Sequence, residues 1–310
     1  MGRRARSPRD FIDIDGILLL DKPAGLSSNR VLQKVRYLFR ANKAGHTGSL
    51  DPLATGMLPV CFGEATKFSA FLLDASKSYR ARCQLGKTTT TGDAEGEVIS
   101  EQPANASRQD VEQALRRFLG RIDQIPPMHS AVKVDGQRLY KLARSGREVE
   151  RPVRQVEIHR LELVEFDRNS DSFVIDVQCS KGTYIRTLAE DIGAALGCGA
   201  FLAALRRTGV HPFGRRHCYT LAELEARAQE SASALMDCLL PIKSALSDFE
   251  DIVVDEAAAS QLKQGRSVSL NALSTVGMIN LVCENGQFIG IGEAVADGRI
   301  LPKRLMNTAR

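Results

Sequence analysis

The chain has 310 residues, 43% hydrophobic and 25% charged, with a formal net charge of +5. That balance excludes a largely disordered chain, and the length allows a sizeable core and more than one domain. Seven cysteines, scattered and without a Cys-x-x-Cys pair, argue against a disulfide framework or a structural zinc site and for reduced thiols in a cytosolic protein.

Arg3, Arg4, Arg6 and Arg9 mark residues 1–10 as a basic arm. The apolar run that follows, Ile17 to Leu20, is far too short for a signal peptide or a membrane span. Ser27 or Ser28 caps a predicted helix whose Val31, Leu32, Val35, Leu38 and Phe39 share one face. The helix delivers the chain to Gly45-His46-Thr47-Gly48-Ser49-Leu50-Asp51-Pro52-Leu53-Ala54-Thr55-Gly56, a segment too irregular for core. Glycine at 45, 48 and 56 opens backbone angles closed to other residues, and Pro52 fixes the chain beyond Asp51, so the carboxylate rides on a stiffened loop. Such a loop between a helix and an apolar strand reads as a site, although Asp51-Pro52 also fits a plain surface turn.

After the loop, Ala65 to Leu73 reads as helix. From Ser78 to Leu85 the pattern alternates, placing Tyr79, Ala81, Cys83 and Leu85 on one face of a strand and Ser78, Arg80, Arg82 and Gln84 on the other. Ser107 and Asp110 form a capping box ahead of Val111, Leu115, Phe118 and Leu119. Pro126-Pro127 breaks regularity, and Asp135-Gly136 marks a hairpin turn. Between 133 and 154 the residues Lys133, Arg138, Lys141, Arg144, Arg147, Arg151 and Arg154 outnumber Asp135, Glu148 and Glu150, which makes this stretch an exposed basic insertion. Arg206, Arg207, Arg215 and Arg216 form a second basic cluster, and a charge run is a solvated face as readily as a nucleic-acid footprint.

Strands are predicted over 153–166 and 173–179, and Leu188, Ile192 and Leu196 mark a helix stopped by Gly197. Without a GxGxxG loop or a regular strand-helix unit, a mixed, largely antiparallel sheet fits best, an α+β arrangement. Beyond about residue 248 come a helix from Glu256 to Lys263, strands at Ile279 to Cys283 and Phe288 to Ala294 around Asn285-Gly286, and a last strand after Asp297-Gly298. This reads as a small, separate β domain with a basic edge at Lys303 and Arg304. His129, His159, His211 and His217 lack metal-ligand spacing and receive no role.

A second constellation is Cys179-Ser180-Lys181-Gly182-Thr183-Tyr184-Ile185-Arg186-Thr187, where a strand ends, Gly182 turns and a helix begins. Ile185 and Leu188 bring Arg186 toward the apolar side, where an arginine needs an anion. Pairing with Asp51 would keep that carboxylate ionised and positioned, as a nucleophile requires.

Asp21-Lys22-Pro23-Ala24-Gly25-Leu26-Ser27-Ser28, the Gly45 to Gly56 loop, Lys77-Ser78-Tyr79-Arg80-Ala81, Lys181 to Thr187 and Leu205-Arg206-Arg207 resemble, in order and spacing, the bacterial tRNA pseudouridine-55 synthases. The resemblance implies an α+β catalytic domain on a mixed, largely antiparallel sheet over 11–248, an RNA-gripping insertion at about 125–152, and a small β-rich PUA-like RNA-binding domain over 249–310. It implies that Asp51 attacks a flipped T-loop uridine, with no metal or organic cofactor. Tyr79 would stack on the base and is a candidate for removing its proton. Tyr184 would contact base and ribose, Leu205 would floor the pocket, His46 would sit against the T loop, Arg186 would pair with Asp51, and Lys22 would fix the fold beside the loop. The expected partner is the tRNA T arm, with no membrane, no obligate protein partner, a monomeric state and a cytoplasmic location.

Two other readings stay open on the residues. A non-catalytic RNA-binding or tRNA-folding protein would use the same basic surfaces. A hydrolase would use Asp51 as nucleophile and His46 as acid-base, but gives the basic insertion no task.

Overall fold

The computed structural model describes residues 11–130, 132–134, 136–269 and 275–307. The basic arm expected over 1–10, and Asp135 of the expected turn, lie outside the described residues. The chain opens with β1 (Gly16–Lys22), α1 (Ser28–Leu38), β2 (Ala44–His46) and β3 (Thr55–Phe62). A 3-10 helix (Gly63–Phe68) and α2 (Ser69–Asp74) lead to β4 (Lys77–Leu85), the hairpin β5 (Lys87–Thr89) and β6 (Val98–Glu101), α3 (Arg108–Arg116) and β7 (Gly120–Gln124). A second hairpin, β8 (Lys133–Val134) and β9 (Gln137–Arg138), runs into α4 (Leu139–Arg144). Then follow β10 (Arg154–Asp167), β11 (Ser172–Cys179), α5 (Ile185–Ala195), β12 (Ala200–Val210), α6 (Leu221–Glu230) and α7 (Ala232–Met236). The C-terminal part holds β13 (Glu250–Val254), α8 (Glu256–Lys263), β14 (Val268–Ser269), β15 (Gly277–Cys283), β16 (Phe288–Ala294) and β17 (Arg299–Leu305).

The large sheet has the order β1-β3-β12-β4-β11-β10-β7, with β2 also on β3. Its pairs are antiparallel except for β3 with β12, so the mixed, largely antiparallel expectation holds. One edge of β3 is shared: β12 lies against its start, with Arg207 opposite Gly56, and β2 against its end, with His46 opposite Val60. The chain between β2 and β3 leaves the sheet at this fork. Gly56 permits the fork, because at φ +99° a Cβ there would stand 2.2 Å from the Arg207 carbonyl oxygen.

Apolar side chains of α5 and the sheet, including Phe173, Ile175, Leu188 and Ile192, form one core, and α1 seals another with Leu18, Leu20, Val60 and Phe62. The C-terminal sheet, order β13-β15-β16-β17-β14, is not loosely tethered. Ile291 joins Ile17, Met57, Phe68 and Leu246 in a shared cluster, and the Phe68 and Phe288 rings lie 5.7 Å apart. Lys67 Nζ donates to the Leu305 carbonyl at 3.1 Å, and the Asn307 amide donates to the Glu64 carboxylate at 2.5 Å.

Several boundaries differ from expectation. The segment from Gly45 to Gly56 is loop only over 47–54, because both its ends pair in the sheet. Ala65 to Leu73 begins in the 3-10 helix rather than as one α-helix. Helix α3 stops at Arg116 before Gly120 turns the chain at φ +88°, so Leu119 is not on its buried face but 55% exposed. Leu205-Arg206-Arg207 lies in a strand, and alternation splits the supposed basic cluster: Arg206 faces out to Asp21 at 2.6 Å, while Arg207 is buried.

Candidate active site

The loop over 47–54 is tied from three directions. Ser27 caps α1 by accepting from the Arg30 amide at 3.3 Å, which leaves Ser28 for another task. The buried Ser28 hydroxyl accepts from the Leu50 amide at 2.7 Å and donates to the Leu50 carbonyl at 3.0 Å. From β1, the fully buried Lys22 donates to the carbonyls of Pro23 at 2.8 Å, Leu26 at 2.6 Å and Pro52 at 3.3 Å. Burial pushes the Lys22 amine down to a pKa of about 8, against the pull of Asp51 and Glu95. From β12, Arg207 donates to the carbonyls of Gly48 at 3.1 Å and Ser49 at 2.9 Å, and to Met57 of β3 at 3.3 Å.

Asp51 stands at the centre of these ties, with 41% of its side chain open to the cleft. Its Oδ2 lies 3.1 Å from Arg186 Nε, so the expected pair forms. Arg186 is buried in the first turn of α5, and every nitrogen of its guanidinium is engaged. Nε also faces Asp93 Oδ2 at 3.6 Å, Nη1 donates to the Thr91 carbonyl at 3.1 Å, and Nη2 donates to the His129 carbonyl at 2.8 Å. Burial pushes the Asp51 carboxyl above the ordinary carboxylate range, Arg186 pulls it back, and Asp93 adds to the rise. Glu95 at the rim is also raised, by burial first and then by Asp93 and Asp51.

Asp51 and Arg186 line a cleft of about 1090 Å³ together with His46, Tyr79, Tyr184 and Leu205. Tyr79 on β4 sits opposite Arg207 on β12, and the Arg207 guanidinium carbon lies 5.7 Å from the centre of its ring. Burial pushes the Tyr79 phenol up, and Arg207 opposes that rise. Tyr184 occupies the N-cap of α5, where the Gln124 side chain donates to its carbonyl at 3.1 Å and accepts from its amide at 3.0 Å. It packs against Val132, Leu139 and Leu142, the small core of the insertion. His46 lines the cleft at the end of β2; burial holds its imidazole below the usual histidine range, and Arg207 adds to this. Among the described residues no hydrogen bond joins His46 to Asp51, so the geometry of a histidine-assisted aspartate is missing.

The family model described as "TruB family pseudouridylate synthase (N terminal domain)" matches residues 36–185. The model "tRNA pseudouridylate synthase B C-terminal domain" matches 186–247, and "Pseudouridine synthase II TruB, C-terminal" matches 251–306. The tRNA pseudouridine synthase B of Pseudomonas fluorescens (strain Pf0-1) is 54% identical over 297 residues, 96% of this chain and 97% of that protein. The chain belongs to the TruB family of pseudouridylate synthases. Its counterpart in Ectopseudomonas mendocina (strain ymp) is 55% identical over 95% of this chain and 96% of that protein. The TruB-family fold also extends to a Cbf5-Nop10-Gar1 complex, whose matching chain has a TM-score of 0.72 and 25% identity over 94% of this chain and 84% of that one.

Three features of this TruB-family site escaped the sequence reading. Asp93 is 3% exposed and shares Arg186 with Asp51; its place in Thr91-Gly92-Asp93, far from either motif, gave no sign of that. His129 reaches Arg186 through its main-chain carbonyl, which no side-chain pattern encodes. Arg207 lies in Leu205-Arg206-Arg207, and period-two alternation from Leu205 was the available signal that it turns inward.

Proposed function

We propose that this isomerase converts the uridine at position 55 in the tRNA T loop to pseudouridine, with Asp51 as nucleophile. What carries the reading is the Asp51 carboxylate, paired with a buried Arg186 yet open to a cleft that holds tyrosine and leucine side chains. A base in a duplex or folded loop must leave its stack to reach such a recess, and aromatic and apolar walls offset that cost. The Asp51 carboxylate attacks C1′ of the ribose, and the N1–C1′ electron pair leaves with the base. The base turns, C5 attacks C1′ and displaces the carboxylate, C5 loses its proton and N1 gains one. The sum is an isomerisation, needing neither oxidant nor organic cofactor.

Arg186 positions and holds the charge of Asp51, Lys22 and Ser28 fix the loop, and Tyr79, Tyr184 and Leu205 hold the base, with His46 against the emptied T loop. The insertion at about 125–152 grips the T arm, and residues 249–310 act as a PUA-like RNA-binding domain. The chain works as a monomer in the cytoplasm without an obligate protein partner; no helix among the described residues is long and apolar enough to cross a membrane. The test is tritium release from C5 of uridine in an unmodified tRNA transcript, with the modified position mapped. Stoichiometric release at one T-loop uridine supports the reading; binding without release sinks it.

A further inference from the structure

Among the described residues four cations are buried around the cleft, and they differ in how their charge is relieved. Lys22 and Lys77 each donate to three carbonyls, and burial lowers both to a pKa of about 8, so either can shed its proton. Arg186 faces Asp51 and Asp93. Arg207 has neither relief. An arginine stays protonated in proteins, this one is 2% exposed, and none of the ion pairs among the described residues involves it.

Its bonds go to neutral carbonyls of Gly48, Ser49 and Met57, and its Nε is buried without a partner. A buried charge with no counter-charge is strongly unfavourable, and loop carbonyls could be held by neutral donors instead. Its charge bears on the titration of Lys22, His46, Lys77, Tyr79 and Cys179, none of which is an anion at neutral pH. The charge is also aimed: the guanidinium lies over the ring of Tyr79, which lines the cleft, and strand alternation puts it on the same face as Leu205.

We propose that Arg207 is a positioning residue that keeps a fixed positive charge beneath the substrate base and, through Tyr79 and the loop, stabilises the pyrimidine anion formed when the glycosidic bond breaks. The inference rests on the isomerase reading above. When the N1–C1′ pair leaves with the base, negative charge spreads over N1, O2, O4 and C5 until C5 attacks C1′ and the charge returns to Asp51. A cation already held in a low-dielectric floor needs no reorganisation at that moment.

The test is single-turnover tritium release from a tRNA transcript labelled at C5 of uridine, for wild type, Arg207→Gln and Arg207→Lys, with transcript binding and circular dichroism in parallel. Wild-type release is read first, so a failure of the isomerase reading shows there and is not confused with a failure of Arg207. Arg207→Gln is expected to bind transcript within about threefold of wild type and to release tritium at least about 100-fold more slowly. Arg207→Lys is expected to work at low pH and to lose rate as its buried amine deprotonates, beyond any alkaline loss in wild type, which already carries Lys22 and Lys77. A merely structural Arg207 predicts no such extra limb, because a neutral amine still donates to the loop carbonyls. A folded Arg207→Gln within threefold of wild type, a loss confined to transcript binding, or superimposable pH profiles for Arg207→Lys and wild type would each overturn the assignment. If Arg207→Gln does not fold, the Arg207→Lys profile decides.

Discussion

Asp51 is held between opposing influences: burial and Asp93 favour its neutral form, and Arg186 favours its charge. Because its folded-state pKa is raised, ionised Asp51 costs stability at neutral pH, and that cost is relieved as pH falls through the folded value. Asp51→Asn is therefore expected to lower the rate by a factor on the order of 10⁴ or more while transcript affinity stays within about threefold. Its melting temperature should equal or exceed that of wild type; a large drop in thermal scans near pH 7 would contradict the electrostatic account. Arg186→Met removes the cation that opposes burial, so the acid limb of the kcat/KM profile should move to higher pH. A limb that stays in place, with only its height reduced, would mean that Arg186 does not set the charge of Asp51. At this scale the sequence disclosed what motifs and alternation can carry. Asp51 and Arg186 were legible as a pair from a stiffened loop and an inward-facing arginine, whereas Asp93 and the His129 carbonyl depend on chain segments that come together only in the fold.

The elements show how a loop becomes a fixed platform. Ser28 lies in the first turn of α1 but spends its hydroxyl on Leu50, so the helix and the loop share one buried side chain. Ser28→Ala leaves both Leu50 backbone groups unpaired, at a cost of about 1–3 kcal/mol. The melting temperature should fall by roughly 2–4 °C per kcal/mol, with a loss of rate larger than the loss of transcript affinity; an unchanged melting temperature in calorimetry would show that the clamp is idle. Amphipathic periodicity located α1, α3 and α5, and Asn285-Gly286 located the β15–β16 hairpin, because these signals are local. The paired role of β12 was not legible. Its Leu205-Arg206-Arg207 reads as surface charge until the segment is recognised as a strand, and the places of β4 and β3 on either side of it come only from the fold.

Across the whole molecule, the two sheets share apolar side chains rather than meeting at a polar seam. Phe68 of the 3-10 helix meets Phe288 of β16, Ile291 enters the cluster of Ile17 and Leu246, and Glu64 and Lys67 hold the last strand and the residues after it. The full chain should therefore unfold in a single calorimetric transition with van't Hoff and calorimetric enthalpies in agreement. Two resolved transitions would show that the C-terminal sheet is an independent passenger. A chain ended after residue 248 should expose that shared surface and bind a hydrophobic dye.

The parallel contact between β3 and β12 also sets a schedule. Arg207 stands 159 residues beyond Gly48, the carbonyl it holds, so the nascent chain must lengthen well past its midpoint before the platform under Asp51 has its last anchor. At ordinary translation speeds that interval is on the order of 10 s. For that time the N-terminal third already carries Asp51, but the loop that bears it lacks the ties from β12 until the last strand of the large sheet arrives.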